Sequence, residues 1–562
     1  MSNVHPDAGL RTTAESTEQE GKRLLTSLSV DRGLYDVLAA ADTAPLDPGA
    51  ERMLERSLRD FRRSGVDRDD ETRARVQALS ERQTATAQQF AKNIREGVRR
   101  IRVTPDRLAG LPADFVAGHP VGDDGLVELT TEYPDYVPVI TFAADRTLRE
   151  EMLRAFLDRA WPDNDTVLHD LLDVRRELAQ LLGYPDWPSY DAEVKMIGSG
   201  PAIADFVERI TQLAEAPARR DFTVLLDRVR VDHPDARSVD GVDKAFYSEV
   251  VRREQFEVDA QEVRRYFDFA KVRDGLLDVT GRLFRLEYDE VPDAARWHED
   301  VTAYDVRSVD GDARELLGRI YLDLHPRAGK YSHAAQFDLV PGVTGRQLPE
   351  GVLVCNFPRG LMEHKDVVTL FHEFGHLVHH VLGGRQDWVR FSGVATEWDF
   401  VEAPSQLLEE WAWDHAVLSG FATDEAGAPI PAALVERMRR ADEYGKGFHA
   451  RTQMFYAAVS YLLHQEPPAD LSGTVAGLQA RYDLFEHLPG THFHASFGHL
   501  GGYTSGYYTY MWSQVIAKDL FSAFDPDSLL DPGPARRYPD RVGAPGGSRD
   551  AADRVSVIQG RP

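Results

Sequence analysis

Two histidines stand four residues apart in Leu370-Phe371-His372-Glu373-Phe374-Gly375-His376-Leu377. On an α-helix that interval stacks both imidazoles on one face, one turn apart. Imidazoles so placed can share one Zn²⁺ ion. Glu373 falls at the rim of the same face, where a carboxylate can take a proton from activated water and later return it to a leaving amine. Its position suits a general base and not a ligand.

A third donor must come from elsewhere. His379 and His380 lie one turn further along, but a third ligand on one straight helix overshoots a tetrahedral centre, so both read as helix-face histidines. After Gly383-Gly384, the run Asp399 to Trp413 predicts a second helix, with Pro404 tolerated only near its start. Glu402, near that first turn, is the expected third ligand. Two neutral imidazoles and one carboxylate leave the cation positive, with a fourth position open. Glu397, Glu409 and Glu410 compete for the role. Glu409, seven residues after Glu402 on the same face, suits a partner for the free N–H of a ligand histidine; Glu397 and Glu410 read as solvated charges.

A second group lies near the C-terminus, where Tyr503, Tyr507 and Tyr510 follow an i, i+4, i+7 spacing after His499 and the glycines Gly498, Gly501 and Gly502. The spacing predicts three phenols along one helical face. Two readings stand. The rings form an aromatic core stripe, or the phenols and the His499 imidazole donate to an oxyanion, on a glycine-hinged loop that closes over substrate.

The elements that must position these groups are mostly helical. Val76, Leu79, Ala87, Phe90 and Ile94 fall mostly on one face of a helix predicted over 69–98. Similar patterns predict helices over 147–159, 166–182, 202–229, 259–285, 430–464 and 471–486. The stretch 284–356 differs: its runs 284–288, 318–324 and 351–357 are short and β-rich, and predict a small sheet. At 562 residues the chain can bury one very large core or divide into lobes.

Bulk properties narrow the partners. A formal charge of −27 opposes binding to nucleic acid or to an anionic membrane. No apolar run is long enough to span a bilayer. Residues 1–18 are polar and acidic, without the pattern of a secretory signal. The single cysteine, Cys355, sits in an apolar run and reads as a buried thiol in a reducing, cytoplasmic setting.

The residues resemble the thimet oligopeptidase and oligopeptidase A family of zinc peptidases. The likeness rests on Phe371 to His376 with Asp399 to Gln406, on Tyr321 to Leu324 with Arg327 to Tyr331, on Cys355-Asn356-Phe357, and on Gly498 to Leu500 with Tyr507 to Trp512. It implies a mainly α fold: a two-lobed helical shell around a deep substrate channel, with a small β-sheet near the active site. Residues 1–283 would form an N-terminal helical lobe and 284–562 the catalytic region, the two interleaved. It implies one Zn²⁺ on His372, His376 and Glu402, with Glu373 as base. His499, Tyr503 and Tyr510 would act on substrate and transition state, and Tyr507 would contact substrate. The strand ending at Cys355-Asn356-Phe357 would pair with an extended peptide. The expected activity is endopeptidase cleavage of short unfolded peptides by a cytoplasmic monomer. A dipeptidyl carboxypeptidase with the same zinc chemistry and an inactive peptide-binding scaffold are the alternatives.

Overall fold

Helices dominate because apolar residues recur every three or four positions and short acidic side chains mark where helices begin. Asp7, Asp31, Asp47, Asp145, Asp240, Asp268 and Asp470 each accept a hydrogen bond from an amide in the first turn of the helix that follows. Capping accounts for part of the acidic excess. The computed structural model describes all residues except 328–329, 332–333, 526–527, 531–538 and 560–562. Among the described residues no helix is long and apolar enough to cross a membrane.

The chain forms two compact units from interleaved segments. Met1–Arg73, Asp259–Glu436 and Thr509–Pro562 make the first; Ala74–Val258 and Arg437–Tyr508 make the second. In the second, β1 (Arg100–Val103) and β2 (Val127–Thr130) pair as an antiparallel ribbon. In the first, β3 (Leu286–Glu290), β4 (Thr302–Asp310), β5 (Ala313–Asp323), β6 (Ala335–Val340) and β7 (Glu350–Val354) form one sheet in the order β3-β4-β5-β7-β6. Only the β5–β7 pair is parallel. The boundary expected between 283 and 284 falls inside the first unit. There the helix Phe269–Phe284 ends at Arg285 in a left-handed conformation and passes directly into β3.

β4 and β6 add to the strands expected in this stretch. β4 and β5 are joined by the two-residue loop Gly311-Asp312, where Gly311 has a φ of 58°, the sign that tight hairpin turns require. β6 is an edge strand carrying Gln336 and Asp338, and such polar content blunts an edge.

The helix His364–Leu382 packs on this sheet at β7. A side chain on Gly351 would place its Cβ 2.8 Å from Leu377 Cδ1 and 3.0 Å from His380 Cδ2, so the approach requires glycine. Two helices predicted as single are divided. The run 259–285 restarts at the Asp268 cap, and 430–464 becomes Ala432–Glu443 and Lys446–Gln465, separated by Gly445 with a φ of 90°. In the second unit the helices Gly200–Asp232 and Lys446–Gln465 touch at Gly447, whose N–H donates to Asp221 at 2.9 Å. Ala218, Leu225, Val229, Val251, Phe448 and Phe485 belong to the core beside that contact.

Candidate active site

The helix His364–Leu382 starts at a capping box, in which Glu363 and Asp366 each satisfy the other's backbone amide. It buries Val367, Leu370, Phe371, Phe374, Leu377, Val378 and Val381. That apolar face fixes the rotation of the helix, and so leaves His372, Glu373 and His376 on its less buried side.

The second helix, Glu402–Glu409, crosses the first at Gly375. A Cβ there would lie 2.7 Å from Ser405 Cα and 3.2 Å from the Pro404 carbonyl. Pro404 is third in its helix, where a missing N–H removes no intrahelical bond. The segment leading into it is tied down: Ser513 Oγ donates to the Asp399 carbonyl at 2.7 Å, and Phe400 is fully buried under the Arg554 guanidinium.

The two helices bring three donors together. His372 Nε2 lies 3.1 Å from Glu402 Oε2, and His376 Nε2 lies 3.2 Å from the same oxygen. The ring centroids are 5.0 Å apart, with planes at 80°. His372, His376 and Glu402 thus form a group able to hold a metal ion, each offering one ligand atom within 4.8 Å of the others. On the far side of His372, Nδ1 is 2.6 Å from Glu409 Oε1, which fixes the ring and leaves Nε2 as the atom facing the group.

The electrostatics fit a cation at this point. Burial disfavours charge on His372, yet hydrogen bonds to Glu402 and Glu409 outweigh it and raise its pKa to about 10. Burial likewise opposes ionisation of Glu402, but its bonds to both histidines hold it well below the usual carboxylate range. Two carboxylates therefore draw positive charge to this spot, and a metal ion bound by neutral imidazoles would supply it. Glu373 is different: desolvation raises its pKa, Glu402 adds to the rise, and the two imidazoles and the Gln336 amide oppose it. A raised carboxylate pKa suits a group that must both take and give a proton. Nothing in the sequence pattern marks Gln336, whose proximity arises from sheet pairing.

His379 and His380, read as helix-face histidines, lie outside the His–His–Glu group and are buried. His380 lies with Nδ1 2.8 Å from Asp338 and Nε2 3.1 Å from the Glu350 carbonyl, joining its helix to β6 and β7; burial lowers His379 to about 3. Several expectations are corrected. Glu397 is no solvated charge: mostly buried, it accepts from the Ala551 amide at 3.1 Å at the start of the C-terminal helix Ala551–Gln559. Glu410 pairs with Lys518. Cys355, by contrast, is fully buried as its apolar run implies, and burial pushes its pKa well up. β7, expected to pair with a peptide, has β5 on one side and β6 on the other. The terminal strand on that side is β6.

The phenols do not share a helix. In the second unit, His499–Gly502 is a single helical turn, and Thr504 has a φ of 55°. The next helix, Thr509–Phe521 of the first unit, begins after Tyr507. Side-chain bonds from Thr504 and Ser505 to Asp191, both 2.7 Å, divert the backbone from the helix that spacing predicts. Tyr507 is buried, stacked edgewise on His499 at 4.9 Å and on Tyr456 at 5.6 Å. It therefore belongs to an aromatic core cluster. His499 and Tyr503, 5.2 Å apart between ring centroids, are partly exposed. Tyr510 sits in the first turn of Thr509–Phe521, and its carbonyl accepts from Gln406 at 3.2 Å.

The chain is 29% identical to the thimet-like oligopeptidase of Dictyostelium discoideum, over all of this chain and 88% of that protein. It is 28% identical to oligopeptidase A of Escherichia coli strain K12, covering 100% of this chain and 87% of the relative. Among solved structures it resembles PZ peptidase A with an inhibitor, with a TM-score of 0.60 at 14% identity, over 100% of this chain and 85% of the other. That likeness establishes a shared, mainly helical fold. Residues 139–562 match the sequence description of peptidase family M3. Because that match spans well over half of its length, the chain belongs to peptidase family M3, a family of metallopeptidases.

Proposed function

We propose that the protein is a zinc endopeptidase that hydrolyses internal bonds of short unfolded peptides, using one Zn²⁺ held by His372, His376 and Glu402. The observation that carries this reading is the convergence of His372 Nε2 and His376 Nε2 on Glu402 Oε2, at 3.1 and 3.2 Å. Two imidazoles and one carboxylate suit zinc, and leave a position for substrate or water. When bound, the metal supplies the Lewis acidity that polarises a peptide carbonyl and acidifies water.

The protein's own side chains do the rest. Glu373 takes the proton from the attacking water and passes it to the leaving amine. Glu409 orients His372 through Nδ1. His499, Tyr503 and Tyr510 donate to the developing oxyanion, and Tyr507 contacts substrate from within its aromatic cluster. β6 offers main-chain partners to an extended peptide, which favours unfolded substrates. The reading includes a monomer acting in the cytoplasm, in keeping with one buried cysteine and a strongly acidic surface.

A quenched peptide blocked at both ends tests the proposal. The wild-type enzyme should cut it internally, as a carboxypeptidase requiring a free C-terminus would not. Glu373→Gln should keep its metal and lose about 10²- to 10⁴-fold in kcat. Equal turnover by the two proteins, with equal metal content, would refute the mechanism.

A further inference from the structure

The loop that bears His499 and Tyr503 is fastened by side chains that the proposed chemistry does not use. Arg175, on the helix Asp163–Leu181 of the second unit, is fully buried. Its Nη1 donates to the Leu500 carbonyl at 2.6 Å, and its Nη2 to the Gly501 carbonyl at 2.6 Å. Nη1 also donates to His464 Nε2 at 2.7 Å. Because that nitrogen accepts, the His464 proton resides on Nδ1 and is donated to the Ser460 carbonyl at 2.7 Å. The Ser460 hydroxyl in turn donates to the Thr504 carbonyl at 2.7 Å and accepts from the Tyr507 amide at 3.3 Å. Arg175 thus binds one end of the segment 500–507 directly, and the other through His464 and Ser460, whose carbonyl holds the imidazole while its hydroxyl holds Thr504 and Tyr507.

Two further anchors flank it. Asn164 donates to the Ala495 carbonyl at 2.8 Å. Asp191 accepts from Thr504, Ser505 and Lys195 at 2.7, 2.7 and 2.9 Å. Thr504 is held in a left-handed conformation, which a residue other than glycine keeps only where its surroundings dictate it.

We propose that Arg175, acting through His464 and Ser460, is a positioning residue that holds the 500–507 segment as a fixed platform for His499 and Tyr503, where glycine content alone would suggest a flap. Among the described residues no carboxylate pairs directly with Arg175, so its charge is directed onto loop carbonyls and one imidazole. Burial lowers its pKa to about 9, with Asp191 opposing, so at neutral pH the guanidinium remains charged. Burial and the Arg175 charge together lower His464 to about 3, which keeps it neutral as the chain of bonds requires. Hydrogen bonds made before substrate arrives need no reorganisation at the moment of reaction.

The inference rests on the reading of His499 and Tyr503 as groups that act on substrate, and the test separates the two. In the full-length, metal-loaded enzyme, Arg175→Met keeps the length of the side chain and removes its donors. It should lower kcat on the order of 10²-fold, the scale of a displacement near 1 Å, with KM and metal content nearly unchanged. Arg175→Lys should recover part of the loss, and Ser460→Ala should lower kcat about tenfold. Combined with Tyr503→Phe and with His499→Ala, each loss should be much less than multiplicative, because the clamp acts through those groups. Wild-type kcat in Ser460→Ala, or losses that multiply fully, would overturn the clamp. Should Arg175→Met fail to fold, the Ser460→Ala cycle decides alone. Full kcat in both Tyr503→Phe and His499→Ala would instead overturn the functional reading of the loop.

Discussion

The His–His–Glu group and the phenol-bearing loop differ in what holds them. In the first unit, His372 and His376 are placed by helix periodicity, and Glu402 by the crossing of a second helix at Gly375. In the second, His499 and Tyr503 ride on a single turn and an irregular segment, held by Asn164, Arg175, Asp191 and Ser460 from two other helices and a short one. Backbone ladders orient the His–His–Glu group; bonds from buried side chains to carbonyls and hydroxyls orient the loop. The placement of the helical group therefore rests on packing and on the crossing at Gly375, whereas the placement of the loop rests on side-chain hydrogen bonds.

Glu402→Gln is the strongest test of the helical side. The amide keeps the size and packing of the side chain but removes the negative charge that the two imidazoles share. Metal affinity should fall by more than the roughly 10- to 100-fold typical of losing an outer partner, and activity should vanish at metal concentrations that saturate the wild type. Thermal unfolding of the metal-free proteins should differ little. Equal zinc affinity by competition with a chelator would break the contrast, since the donors would then not be set by this crossing.

The contrast also explains what the sequence disclosed. A spacing of four residues on an apolar background implies one helical face, so His372, Glu373 and His376 were legible, as was Glu402 at the start of the next helix. Glu409 against His372 followed from a seven-residue interval. The tyrosines have equally regular spacing, yet Tyr503 and Tyr507 are not on a shared helix, because Asp191, more than 300 positions earlier in the chain, captures Thr504 and Ser505. Local periodicity carries no trace of such a partner. β6 was missed for a different reason: Ala335-Gln336-Phe337-Asp338-Leu339 does alternate apolar with polar residues as a half-buried strand should, but this short signal stands beside the more apolar runs of β5 and β7 and went unread. Glu397 was misread because its partners, the Ala551 amide and Arg554, lie about 155 residues away.

Gly375→Ala sharpens the comparison at smaller scale. The added methyl would meet Ser405 Cα at 2.7 Å, too close for any side-chain rotation to relieve, so the helices must separate. Overpacking of this kind costs about 1–3 kcal/mol. The thermal midpoint of the metal-free enzyme should fall, and zinc affinity with it, because Glu402 moves with its helix while the histidines do not. A lowered midpoint with unchanged zinc affinity would show that the donors adjust independently of the crossing. No corresponding effect is expected at Gly502 in the loop, where an added Cβ meets nothing within 4 Å.

The smallest expected effect separates the two regions by pH. Burial opposes ionisation of Asp191, but Lys195 and the hydroxyls of Thr504 and Ser505 outweigh it and hold its pKa below the ordinary value. The folded protein therefore takes up this proton at lower pH than the unfolded chain does. The stabilisation is complete above the ordinary carboxylate value of about 4, and is lost as pH falls through the folded value. Asp191→Asn removes that component. Its stability should lie below that of the wild type at neutral pH, with the gap narrowing as the medium is acidified past about pH 4. Denaturant unfolding of both proteins in the metal-free state across that range, followed by a probe in the second unit, reads the difference without contribution from a bound cation. A gap constant with pH would mean that Asp191 acts only as a neutral acceptor, and that the loop's anchorage owes nothing to its charge.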